Sequence, residues 1–282
     1  MSTISNDCSE SERTLWQAIG SQEEMTTRDS PMSKPLPGFR DEALLDNPIW
    51  YSLTTDHANL AIGADVGSGL ARQYPTNIGP LAAFLEPTLE AYSDLARVIP
   101  ENDHAVLLLA STPNLPEGWQ LLRGGLIVQL ICHTVPDKSP LAAVLEPLGP
   151  ADFPEMMALA SLTEPGPFRE HTGQLGGFIG IRVDGRLAAM AGRRLAPTGF
   201  AEVSAVCTHP DFRGRGYARS LVTEVARRIH ADGCVPFLTS YESNTAAIKI
   251  YEEIGFSLRR QFQLAVVRSH RIEAAPQQPD SD

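Results

Sequence analysis

Apolar residues in the second half of the chain recur at two clean periods. In "ARSLVTEVARRIHADG", Leu221, Val222, Val225, Ala226 and Ile229 stand three or four positions apart. That spacing predicts a helix with one buried face, and Gly233 falls where a C-terminal cap belongs. "NTAAIKIYEEIG" repeats the period, with Asn244 as N-cap and Gly255 as stop. "ADFPEMMALASLTEPG" predicts a third helix, with Phe153, Met156, Met157 and Ala160 apolar. Strand-length runs lie between these. "GGFIGIRVDGRLAAMAGRRLA" reads as a hairpin, because Asp-Gly between two apolar runs is a two-residue turn signal. "LAAVLEPLG", "GFAEVSAVCTH" and "CVPFLTSY" read as strands, and "FSLRRQFQLAVVR" as one or two more.

The first half is less regular. Order is expected to begin near "RDEALLDNPIWYSLT". "HANLAIG" alternates like a strand, and "HAVLLLA" and "GGLIVQLICH" are apolar runs of strand length. "PTLEAYSDLARVIP" places Leu89, Tyr92, Leu95, Ala96 and Ile99 at helical spacing, after a Pro suited to a first turn. "GADVGSGLAR" lacks the third glycine of a dinucleotide fingerprint and reads as a surface loop. The elements imply an α/β fold with a mixed sheet. Four segments follow: a polar tail over 1–40, expected to be disordered save for a transient helix near Leu15 to Ile19; an α/β region over 41–140; a sharper α/β region over 141–270; and a loose tail over 271–282.

Composition narrows the function classes. The 282 residues carry a formal net charge of -11, which opposes broad binding to nucleic acid or an anionic membrane. Cys8, Cys132, Cys207 and Cys234 are far apart, and seven histidines are scattered, so reduced thiols and no metal site are expected. The polar start lacks the features of a secretory signal, and the longest apolar runs are far too short to span a bilayer. A cytoplasmic protein is the expectation.

Against this acidic background, "CTHPDFRGRGYARSL" packs Arg213, Arg215 and Arg219 around Gly214 and Gly216, between a predicted strand and a predicted helix. A helix start binds anions, because its first N–H groups lack partners and its dipole is positive there. There is no GK[ST], so this is not a P-loop, and GxGxxR is not a dinucleotide fingerprint. Arg213, Gly216 and Ala218 fit [Q/R]-x-x-G-x-[G/A], the pyrophosphate signature of the GNAT acyltransferase superfamily. "AEVSAVCTHPDF" resembles that family's fourth strand, and "NTAAIKIYEEIGF" resembles its second signature helix. The resemblance covers the C-terminal half and is nearest the FR47-like branch, akin to glycine N-acyltransferases. It implies a GNAT acyl-CoA N-acyltransferase fold over 141–270. The 41–140 region could then supply the acceptor wall, and it is open to reading as a degenerate copy of the same fold.

The resemblance also implies a ligand and a chemistry. Acetyl-CoA, or another acyl-CoA, would rest its pyrophosphate on the N–H groups of Arg213, Gly214, Arg215, Gly216, Tyr217 and Ala218. Its pantetheine arm would pair with the strand at Val206, Cys207 and Thr208, with Asn244 as a further contact. Transfer to an amine needs a base, a donor to the thioester carbonyl and a proton for the leaving thiolate. Glu202 is the base candidate, the Val206 backbone N–H the carbonyl donor and Tyr251 the acid. Structural alternatives stand beside these: Glu202 paired with Arg193 or Arg194, Tyr251 packed in the apolar face of its helix, and Asn244 as N-cap only. Cys207 alternates out of phase with Glu202 and Val206, so it is expected to pack against a helix rather than act as a nucleophile. The function expected is N-acyl transfer, acetyl first, to a small-molecule, amino-acid or peptide amine. The alternative is a catalytically silent acyl-CoA-binding or regulatory protein.

Overall fold

The computed structural model of the chain describes residues 40–270, so the expectations for 1–39 and 271–282 lie outside the described residues. The α-helices are α1 (Pro48–Thr54), α2 (Leu89–Val98), α3 (Phe153–Thr163), α4 (Tyr217–Ala231) and α5 (Thr245–Ile254). The strands are β1 (Ala71–Gln73), β2 (Ala82–Phe84), β3 (Ala105–Leu109), β4 (Trp119–Ile131) and β5 (Glu146–Pro147). They continue as β6 (Ile179–Val183), β7 (Arg186–Arg193), β8 (Phe200–Thr208), β9 (Val235–Tyr241) and β10 (Ser257–Ser269). Eight strands form one mixed sheet in the order β3-β10-β4-β9-β8-β7-β6-β5, and β1 pairs with β2 apart from it.

The predicted α4 stripe is the centre of the main core. Leu221, Val222, Val225, Ala226 and Ile229 are all buried against Ile179, Ala189, Ala201 and Val203 of the sheet. Each large aliphatic of this stripe contributes about 1.5–3 kcal/mol by leaving water. Gly233 follows the helix at φ 79, a left-handed conformation that costs glycine little. The β6–β7 turn is Asp184-Gly185 with φ of 50 and 77, the pattern of a tight I′ hairpin. "FSLRRQFQLAVVR" is one long strand, β10.

Three local readings change. "LAAVLEPLG" is a 3-10 turn at Ala142–Val144 followed by the two-residue β5, which pairs with β6 at Glu146–Gly180 and Pro147–Ile179. "HANLAIG" is a 3-10 turn at Ala58–Leu60 with a single antiparallel bridge from Ile62 to Gln73. Pro87 stands before the first turn of α2 rather than in it; Thr88 is the N-cap, its hydroxyl accepting from the Ala91 N–H.

The regions 41–140 and 141–270 share one sheet. β4 lies between β9 and β10, bonded antiparallel to both, and β3 is bonded to β10. The layout also repeats. β8, α4 and β9 form a β–α–β unit whose strands pair in parallel only at Phe200–Glu202 with Val235–Phe237. β2, α2 and β3 form a second unit, in which a parallel bridge joins Leu81 just before β2 to Val106. The long strand that follows each unit, β4 or β10, crosses to pair with the other unit's last strand.

Candidate active site

β8 leaves β9 after Glu202. Beyond that residue it is bonded on its β7 side alone, and even there the register skips from Gly192–Ser204 to Met190–Cys207. The extra residue is taken up at Ala205, whose φ of 51 is left-handed. This is a β-bulge, which bends a strand and re-aims its side chains. Ala205 and Val206 therefore face a single β7 residue, Ala191, and have no one-to-one partner in the β7 register.

The bulge also overturns the alternation argument for Cys207. Ala201, Val203 and Val206 all pack on the α4 and α5 side, so Val206 does not share a face with Glu202. Ala205 and Cys207 pack under α3 with Met156 and Leu159. Cys207 does pack against a helix, as expected, but on the Glu202 side of the strand. Burial pushes its thiol up to about 12, so it is held as the neutral, unreactive form.

The gap between the diverging strands is a cavity of about 240 Å³. One wall is Val203 to Val206 of β8, and the other is Leu238 to Tyr241 of β9. Asn244 and Tyr251 line it from α5. Leu81, Val106 and Leu108 come from the first half of the chain, which thus forms part of the wall. Tyr251 is 8% exposed, and burial raises its phenol to about 12, with the Cys207 thiol adding a little. The phenol is therefore protonated at neutral pH and can donate. Asn244 occupies the N-cap position of α5, but its side chain makes no capping bond, which leaves the amide for the cavity.

Glu202 sits differently. It is fully buried and is not part of the cavity wall. Its carboxylate accepts from Arg194 Nε at 2.8 Å, Arg194 Nη2 at 2.9 Å and Thr239 Oγ1 at 2.8 Å. The partner is Arg194; Arg193 is paired instead with Asp232 at 2.6 Å. Arg194 itself lines the cavity, and its Nη1 makes no hydrogen bond among the described residues. Breaking such a pair strands a buried charge, at a cost of about 3–5 kcal/mol.

Beyond Thr208 the chain turns through Pro210–Phe212 into α4. Gly214 and Gly216 have φ of 77 and 76, and a Cβ on either would meet open space. Glycine is required here by backbone angle, not by crowding. Gly216 is the N-cap, no side chain caps α4, and no acidic residue occupies its first turn. The N–H groups of Tyr217, Ala218 and Arg219 thus have no partner within the helix. Arg213 and Arg215 are exposed beside them, Arg215 stacking over Phe212 at 5.2 Å. Arg219 is taken by an ion pair with Glu253. Arg186 of β7 also lies over Phe212, at 5.7 Å. It joins the turn only through the tertiary fold, so nothing in local spacing could have found it. Thr208 Oγ1 is buried with no hydrogen-bond partner where β8 leads into this turn. An uncapped helix start, glycines with room, adjacent cations and an orphaned hydroxyl fit a diphosphate-bearing ligand.

A solved protein of Novosphingobium aromaticivorans, described as an acetyltransferase from the GNAT family, is similar to this one. The two are 38% identical over 80% of this chain and 98% of that one, with a TM-score of 0.73. This chain belongs to the GNAT family of acetyltransferases. The family described as FR47-like protein matches residues 178–264 of this GNAT chain, from just before β6 into β10. An acetyltransferase of Yersinia enterocolitica is 35% identical over 57 residues, which are 20% of this chain and 40% of that protein. The match thus spans two fifths of that curated relative. A GCN5-related N-acetyltransferase-like protein of Streptococcus suis shares the fold, at 13% identity, 93% coverage of this chain and a TM-score of 0.50. Among the described residues no helix is long and apolar enough to cross a membrane.

Proposed function

We propose that this GNAT protein transfers an acyl group, acetyl foremost, from acyl-CoA to a primary amine of a small molecule or peptide. The observation that carries the reading is continuity. β8, whose Val206 lines the strand gap together with Tyr251, runs directly on at Thr208 into the uncapped glycine turn before α4. In this reading Arg213 to Ala218 bind the diphosphate, while Val206, Cys207, Thr208 and Asn244 hold the pantetheine arm. The N–H of Val206, at the bulge and on the cavity wall, donates to the thioester oxygen as charge builds there. The amine forms the C–N bond, the C–S bond breaks, and the Tyr251 phenol gives its proton to the departing sulfur. Glu202 was the base candidate on resemblance. With three donors already on its carboxylate, its part here is to hold Arg194 at the cavity wall.

The test is thiol release from acetyl-CoA against a panel of primary amines, with the CoA-dependent melting shift measured alongside. Transfer predicts both a shift and amine-dependent release. The alternative reading, a silent acyl-CoA binder, gains some support from the sealed Glu202. It predicts the same shift with no release.

A further inference from the structure

Acyl transfer as proposed above needs a group that takes a proton from the incoming ammonium, and the cavity must supply it. The titratable residues of its wall are Glu164, Arg194, Tyr241 and Tyr251. Arg194 is a cation and Tyr251 is held as the neutral phenol, and Glu164 is the only carboxylate among the four. We propose that Glu164 receives the acceptor ammonium and accepts its first proton, with Arg194 and its partner Glu202 as positioning residues.

Three observations carry this. Glu164 lies at the end of α3, whose Met156 and Leu159 pack on Ala205 and Cys207 of the reacting strand, and it shares the cavity wall with Val206 and Tyr251. Glu164 is also held in an unusual backbone conformation. Its φ of 47 and ψ of 56 are left-handed, and its N–H closes the helix on the Ala160 carbonyl at 2.8 Å. Glycine is the residue favoured at such a helix end. Among the described residues four non-glycine positions have positive φ, and two of them, Glu164 and Ala205, line this one cavity. Strain of this kind gathers where surroundings and function over-determine the backbone. Third, the C-terminal end of α3 is the negative end of its dipole, which adds to the carboxylate in attracting a cation. The loop after it, Pro165 to Pro167, continues the wall, and a Cβ on Gly166 would stand 3.7 Å from Arg194 Nη1.

The proton balance closes with these groups. The ammonium gives one proton to Glu164, which is exposed and passes it to water. The amine lone pair forms the C–N bond as the C–S bond breaks, and Tyr251 protonates the sulfur. The second nitrogen proton leaves after bond formation and restores the phenol.

The experiment measures kcat/KM for thiol release from acetyl-CoA with primary amines from pH 6 to pH 10, in the full chain and two variants. Glu164→Gln should lose about a hundredfold near pH 7, with the deficit closing as the amine deprotonates by itself near its pKa of about 10. Glu164→Gly should lose as much while melting at a higher temperature, which separates the loss from misfolding. A rate within about threefold of the unsubstituted chain in Glu164→Gln at pH 7, or a deficit unchanged across the range, overturns the assignment. If the unsubstituted chain binds CoA yet releases no thiol with any amine, the transfer reading fails and Glu164 loses its role with it. The inactive parent chain tells that outcome apart from the others.

Discussion

In both β2–α2–β3 and β8–α4–β9 two strands meet in parallel for a short distance and then separate around a cavity. The cavity beside β2 and β3 is the larger, about 660 Å³ against about 240 Å³. Yet the start of α2 is closed to anions. Thr88 caps it, Glu90 sits in its first turn, and Glu86 and Pro87 precede the cap. The start of α4 is uncapped, has no first-turn acid, and is entered through two left-handed glycines with Arg213 and Arg215 beside them. The walls differ too. β2 is Ala-Ala-Phe, whereas β8 carries a bulge, a buried Glu202 and an orphaned Thr208 hydroxyl. On the proposed reading the same strand geometry serves as scaffold in one unit and as site in the other, and the distinction lies in the chemistry of the helix start rather than in cavity size.

The largest effect that would break this contrast lies at the buried pair. Glu202→Ala should lower the unfolding free energy by about 3–5 kcal/mol in urea denaturation, because Arg194 is left charged and unpaired. A loss below about 1 kcal/mol would mean that the pair is not what shapes the β8 wall. Next comes the helix start. Gly216→Asp puts a side chain at φ 76 and a negative charge where the diphosphate should lie. CoA affinity should fall about a hundredfold, or about 2.7 kcal/mol, in calorimetric titration. Tyr251→Phe should lower kcat about tenfold or more while leaving the CoA dissociation constant unchanged. An equal change in both would assign Tyr251 to packing. The smallest effect belongs to the other unit. Glu90→Gln should shift stability by less than about 1 kcal/mol through the α2 dipole, with no effect on CoA binding.

Much of this was legible in the residues. The α4 stripe, the Asp184-Gly185 hairpin and the glycine turn are local features whose spacing carries their physics. The placing of Tyr251 and Asn244 on one cavity also followed from helix spacing joined to the family resemblance. What was hidden depends on the third dimension. Period-two alternation cannot reveal that Ala205 inserts a residue and reverses the faces of Val206 and Cys207. The choice between a free and a paired Glu202 turned on Arg194 and Thr239, eight and thirty-seven positions away. That β4 lies between β9 and β10 is not encoded locally, because strands far apart in the chain choose their neighbours through the tertiary fold. Glu164 carries no such signal: glycine announces a left-handed helix end, as at Gly233 and Gly255, and a glutamate in that conformation does not.

In the proposed reading α4 begins at a diphosphate cradle and α2 does not. Calorimetric titration of the chain with CoA and with pantetheine, which lacks the diphosphate, tests it directly. One CoA per chain is expected, bound about a hundredfold tighter than pantetheine, with Arg213→Glu plus Gly216→Asp removing that advantage. Equal affinities for the two ligands, or two equivalents of CoA per chain, would contradict it.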